Sequence, residues 1–87
     1  MKDYEPISTG DFVALRFPTT GGMPVWDQNN LGSYDVPKIL DLVGDRELCL
    51  VMRRENRTSR RIDGHVLMVL TPRGVWGWID EEYVKIT

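Results

Sequence analysis

The chain closes on Gly74-Val75-Trp76-Gly77-Trp78-Ile79-Asp80-Glu81-Glu82-Tyr83-Val84-Lys85-Ile86-Thr87. Two of its three tryptophans stand two positions apart around one glycine. Just upstream, Pro72-Arg73-Gly74 reads as a turn, because proline presets φ at the second position and glycine accepts a positive φ. Val75 to Ile79 is then the returning strand of a tight hairpin. Asp80-Glu81-Glu82 is too short for more than one helical turn, and Tyr83 to Ile86 supplies a last short strand.

Outward from this stretch, glycine and proline punctuate the chain and no segment of ten or more residues keeps a helical period. Short apolar runs between turn signals predict an all-β barrel or sandwich. His65 to Thr71, rich in Val, Leu and Met, is the deeply buried first strand of the hairpin. Lys38 to Arg54 is broken by a tight turn at Gly44-Asp45. Beyond that turn, Leu48, Leu50 and Met52 share one strand face and Cys49 and Val51 the other, so this strand is expected to be central and covered on both sides. In Asp11 to Phe17, Val13 and Leu15 turn inward, which sends Arg16 to water. Pro18 to Pro37 shows no period and reads as one long irregular loop, a length that is uncommon without a function.

Eighty-seven residues make one domain, with 1–10 as an N-terminal arm and 11–87 as the folded body. Composition, 41% hydrophobic and 28% charged, argues against disorder over most of the chain. No apolar stretch is long enough to cross a bilayer as a helix, and no signal-peptide pattern opens the sequence, so a cytoplasmic protein without membrane contact is expected. One cysteine, Cys49, allows no internal disulfide and reads as a small buried hydrophobe. The net charge of −2 hides an asymmetry. Arg53 to Arg61 holds five of the eleven basic residues and one of the thirteen acids, so it carries +4 against −6 elsewhere.

The order of strand, long loop, strand, loop, tight hairpin, helical turn and final strand is similar to that of an SH3-like barrel. Gly77-Trp78-Ile79-Asp80-Glu81-Glu82-Tyr83-Val84 resembles the closing signature of that family. Val43-Gly44-Asp45-Arg46-Glu47-Leu48 resembles its Gly-Asp turn, and Ala14-Leu15 its first strand. The resemblance spans about Asp11 to Ile86 and leans toward the small SH3-like domains of bacteria and phages. It implies a small, bent, five-stranded barrel with a long first loop and one short helical turn before the last strand. The groove in which signalling SH3 domains hold proline-rich peptides is mostly missing. Arg16, Pro18, Val66, Leu67 and Asp80 stand where aromatic and proline walls are expected, and only Tyr83 remains.

The resemblance also points Ile79 inward. Gly77 and Val75 then follow it, and Trp76 and Trp78 share the outward face. Glycine at 77 would let another backbone approach closely. The two rings either cover an open end of the barrel or form a platform for a ligand. Trp26, in the long loop, either pins that loop or contacts a ligand; Tyr34 lies in the same segment. In this layout Arg53, Arg54, Arg57, Arg60 and Arg61 crowd one rim, as a solvated hairpin tip, a surface for a protein or peptide, or a grip on phosphates.

No catalytic set stands out. His65 is the lone histidine, the serines lack a base partner, and Asp80, Glu81 and Glu82 read as a helix cap and a solvated face. No phosphate-binding glycine motif and no metal-ligand set occurs, so no cofactor is expected. The expected function is a non-catalytic protein-interaction or assembly module. Two alternatives stand beside it: a single-stranded nucleic-acid accessory protein, and a peptide or cell-wall-glycan binder of the bacterial SH3 type.

Overall fold

A computed structural model of the chain describes residues 7–17, 20–27, 38–56 and 64–87. Seven strands are seen: β1 (Phe12–Leu15), β2 (Met23–Trp26), β3 (Ile39–Val43), β4 (Cys49–Asn56), β5 (His65–Leu70), β6 (Trp76–Asp80) and β7 (Val84–Ile86). A 3-10 turn, Glu81–Tyr83, sits between β6 and β7. All strands join one sheet in the order β3-β2-β6-β5-β4-β1-β7, curled into a half-barrel. The protein is therefore all-β, with the short helical turn where the sequence places it. Five strands were expected and seven are found. The difference arises in the segment read as a loop: β2 lies inside Pro18–Pro37 and β3 follows it. Met-Pro-Val-Trp carries only two strand-forming residues, so local propensity does not reveal β2; pairing on both sides holds it in place.

The concave face holds the core. Ile7, Val13, Leu15, Met23, Val25, Val43, Cys49, Val51, Leu67, Val69, Ile79 and Val84 form one buried cluster. Val13 and Leu15 point inward and Arg16 is exposed, as β-alternation requires. Ile7 belongs to this cluster, and the Gly10 N–H donates to the Val51 carbonyl at 2.8 Å, so residues 7–10 pack along β4. Residues 1–6 of the expected arm lie outside the described residues.

On β4, Cys49 and Val51 are buried, but Leu48 is exposed and Leu50 and Met52 are only half-buried. The strand is covered fully on one face, not both, because nothing among the described residues closes the convex side at this end. Burial pushes the Cys49 thiol up to about 11. β5 is more deeply placed, with Val66, Leu67 and Val69 buried.

The turns follow from their residues. In the β5–β6 turn, the Gly74 N–H donates to the Thr71 carbonyl at 2.9 Å with Gly74 at φ 82°. At Gly44 the chain turns between β3 and β4, which do not pair. The Glu47 carboxylate accepts the Gly44 N–H at 2.8 Å and fixes this corner. Asp80 caps the 3-10 turn by accepting the Glu82 N–H at 3.1 Å.

At Gly77 the neighbouring strand β2 comes unusually close to β6. Gly77 is buried, and a Cβ built on it would lie 2.3 Å from Val25 Cγ1 and 2.9 Å from the Trp26 carbonyl oxygen. Strand β2 therefore packs directly onto the Gly77 backbone, the close approach that a glycine in a strand permits.

Candidate interaction surface

Residues opposite each other in a ladder share a face of the sheet. Phe12 pairs with Leu50, Leu50 with Leu70, and Leu70 with Trp76. These four side chains form one apolar row across β1, β4, β5 and β6, on the side away from the core. Its ends are open, with Phe12 51% and Trp76 49% exposed, and its centre is half-buried. A second row runs beside it: Arg53 pairs with Met68, Met68 with Trp78, Trp78 with Trp26, and Trp26 with Ile39. All three tryptophans thus lie on this convex face. Farther along, Val66 and Asp80 oppose each other and both are buried, so the open part of the face ends there.

The paired tryptophans divide as alternation demands. Gly77 and Ile79 are buried, Trp76 is exposed and Trp78 is half-buried. Trp26 is also half-buried and stands on β2, not in a loop as expected, so it is fixed by the ladder on both flanks. Tyr83 is exposed on the 3-10 turn. Arg16 lies beside it: its N–H donates to the Tyr83 carbonyl at 2.8 Å. Phe17, two positions beyond Leu15 in the sequence, is exposed because β1 stops at Leu15.

The arginines are less available than their number suggests. Arg54 grips Glu81 with two hydrogen bonds, from Nε at 2.8 Å and Nη2 at 3.2 Å, and Nη2 also meets His65 Nδ1 at 3.1 Å. The Arg54 and Glu81 side chains are 26% and 12% exposed, so this pair ties the hairpin end of β4 to the 3-10 turn. Arg53 is open to solvent and pairs with Glu55 at 2.7 Å, an exposed contact worth about 0–1 kcal/mol. Arg57, Arg60, Arg61 and Tyr34 lie outside the described residues.

A second charged cluster, absent from the sequence reading, surrounds Arg73 in the β5–β6 turn. Its Nε donates to both Asp41 oxygens, at 2.9 and 3.0 Å, and Nη2 donates to the Leu42 carbonyl at 2.8 Å and to Glu47 at 2.9 Å. Nη1 also bonds Glu47. Burial pulls the Asp41 carboxyl upward, but hydrogen bonds from Arg73, Thr71 and the Leu42 N–H outweigh it and hold the group below its ordinary value. Hydrogen bonds from Arg73 and the Gly44 N–H lower Glu47 in the same way.

The sequence names none of Phe12, Leu50, Leu70, Ile39 and Leu42 as contact residues, although it does place Phe12 on the outward face with Arg16. For Phe12 the signal was present, since Val13 inward sends Phe12 outward. For Leu50 it was hidden by treating two apolar faces as two covered faces. Among the described residues, no group of three or more His, Cys, Asp or Glu side chains is arranged to hold a metal ion, and no helix is long and apolar enough to cross a membrane. Comparisons of the chain with protein-family models, with curated proteins and with solved structures found no match.

Proposed function

We propose that this protein is a non-catalytic interaction module of the SH3-like kind that meets a protein partner on its convex aromatic face. The observation that carries the reading is the unbroken row Phe12–Leu50–Leu70–Trp76 with its two open ends. Apolar patches of this kind mark contact surfaces, and tryptophan is over-represented among the residues that dominate binding. The strands beneath hold the row rigid, so a partner meets it at little ordering cost. The curled sheet, the β1–β7 pairing and the 3-10 turn before the last strand support the SH3-like reading. On that reading β2 and β3 are a hairpin whose first strand lies in the long first loop and whose second follows it.

A protein partner is favoured over a nucleic acid, because the row offered for contact is apolar and, of the described arginines in the basic stretch, Arg54 is already held by Glu81. The test is photo-crosslinking in the organism that makes the protein, with a benzophenone amino acid placed singly at Phe12, Trp76, Glu82 or Lys85. A discrete protein adduct from positions 12 and 76, absent from 82 and 85, is expected. Adducts spread evenly over the four positions would refute the face. RNA or DNA adducts from 12 and 76 would move the function to nucleic acid.

A further inference from the structure

We propose that Arg73 keeps the β3 edge of the sheet shut against a second copy of this chain, whose own β3 would otherwise pair with it antiparallel about a two-fold axis. This rests on the outward backbone groups of β3 and on the two turns beside it, and shares only Ile39 with the convex face.

Among the described residues β3 is the last strand of the sheet, and an edge strand is a template for another strand. Ile39–Val43 holds no glycine, proline or lysine, and Ile39, Leu40 and Leu42 are all exposed. An edge strand is its own complement under a two-fold axis, so the nearest occupant is a second β3.

The decisive groups are those of the Leu42 backbone. Leu42 lies opposite Pro24, which has no N–H to exchange, between the pairs Val25–Asp41 and Met23–Val43. Bonding alternates along an antiparallel pair, so the Leu42 N–H and carbonyl face away from β2, toward the open side. An incoming strand would need both. Neither is left open. The Leu42 N–H donates to Asp41 Oδ1 at 2.8 Å, and the Leu42 carbonyl accepts from Arg73 Nη2 at 2.8 Å. The Arg73 Nε bonds to both Asp41 oxygens lock that carboxylate in place. Glu47 holds the guanidinium from its other side.

The opposite edge repeats the device. Along β7 the Val84 N–H donates to the Glu81 carbonyl, and the Val84 carbonyl accepts from Arg16 Nη2 at 3.4 Å. At each end of the sheet an arginine from another segment occupies an outward-facing carbonyl.

Sedimentation of Arg73→Gln beside the wild type tests this, from micromolar to millimolar concentration near neutral pH. The wild type is expected not to associate through β3. Arg73→Gln should keep its strand circular dichroism and become a concentration-dependent dimer, and adding Leu42→Lys, a residue outside both convex rows, should return it to monomer. A folded, monomeric Arg73→Gln overturns the proposal. So does a wild type that already dimerises and is made monomeric by Leu42→Lys. Association abolished by Trp76→Ser but not by Leu42→Lys belongs to the convex face and also counts against β3.

Should Arg73→Gln fail to fold, acid decides. Protonating Asp41 and Glu47 releases Arg73 in the wild type, so the pH is lowered until carbon NMR of the two carboxyls shows both protonated, and association there with the strand signal retained supports the guard. A folded monomer there overturns it. Loss of fold under both perturbations would make the cluster a foundation of the fold, and that also overturns it.

Discussion

Gly77→Ala is the sharpest test of the close approach of β2 to β6. The new methyl would lie 2.3 Å from Val25 Cγ1 and 2.9 Å from the Trp26 carbonyl oxygen, with Leu40 Cδ1 at 3.5 Å. Val25 is fully buried and cannot rotate away, and the carbonyl is backbone. Relief therefore requires β2 to lift from β6, which strains the Trp26–Trp78 pairing. Overpacking of a tight core costs about 1–3 kcal/mol, and two hard contacts put this site at the upper end. The alanine also restricts the unfolded chain, which offsets roughly 0.4–1 kcal/mol. The net loss is about 2–3 kcal/mol, or a Tm fall of roughly 10–20 °C for a domain of this size. Gly64→Ala is the control, because Gly64 has an ordinary φ and nothing within 4 Å of its Cβ position. It should change stability by less than about 0.5 kcal/mol. Thermal and urea unfolding followed by circular dichroism reads both. A Gly77→Ala protein as stable as the wild type would refute the close approach of β2.

Three further outcomes follow from the same geometry. Asp41 and Glu47 are held below their ordinary values of 3.8 and 4.5, so their stabilisation is complete above those values and is lost as pH falls through the lower folded values. The urea midpoint should thus hold from neutral pH to about pH 5 and fall below about pH 4, and Arg73→Gln should flatten that fall. An unchanged acid slope in the variant would contradict the cluster. Cys49, buried and with its thiol pushed up to about 11, should react with a thiol reagent only as fast as the protein opens, so labelling should accelerate with urea in step with unfolding. Rapid labelling of the native protein would contradict its burial. Asp80→Ala removes the acceptor of the Glu82 N–H and should cost about 1 kcal/mol in urea unfolding, with Asp80→Asn recovering part of it.

Much of the architecture was legible because it rests on local chemistry. The Thr71–Gly74 turn, the alternation around Gly77, the Asp80 cap and the inward Val13 and Leu15 each follow from one residue's backbone preference or from strand period. The extra strands were not legible, because β2 owes its existence to neighbours far away in sequence and one of its four residues is proline. The same reason hid the convex face. Phe12, Leu50, Leu70 and Trp76 are separated by thirty-eight, twenty and six positions, and only the register brings them into a row. The Arg54–Glu81 and Arg73–Asp41 pairs are equally nonlocal. An arginine run counted along the chain says how much charge is present, but not which carboxylate already holds it.

The central claim, an aromatic face left open on a rigid curled sheet, is tested most directly by fluorine NMR of 5-fluorotryptophan protein with a soluble paramagnetic probe. Three tryptophans give three signals. The probe should broaden Trp76 most, and Trp78 and Trp26 clearly less, and Trp76→Phe should remove the most affected line. If Trp76 is shielded as well as Trp26, the face is covered in the free protein and the account is wrong.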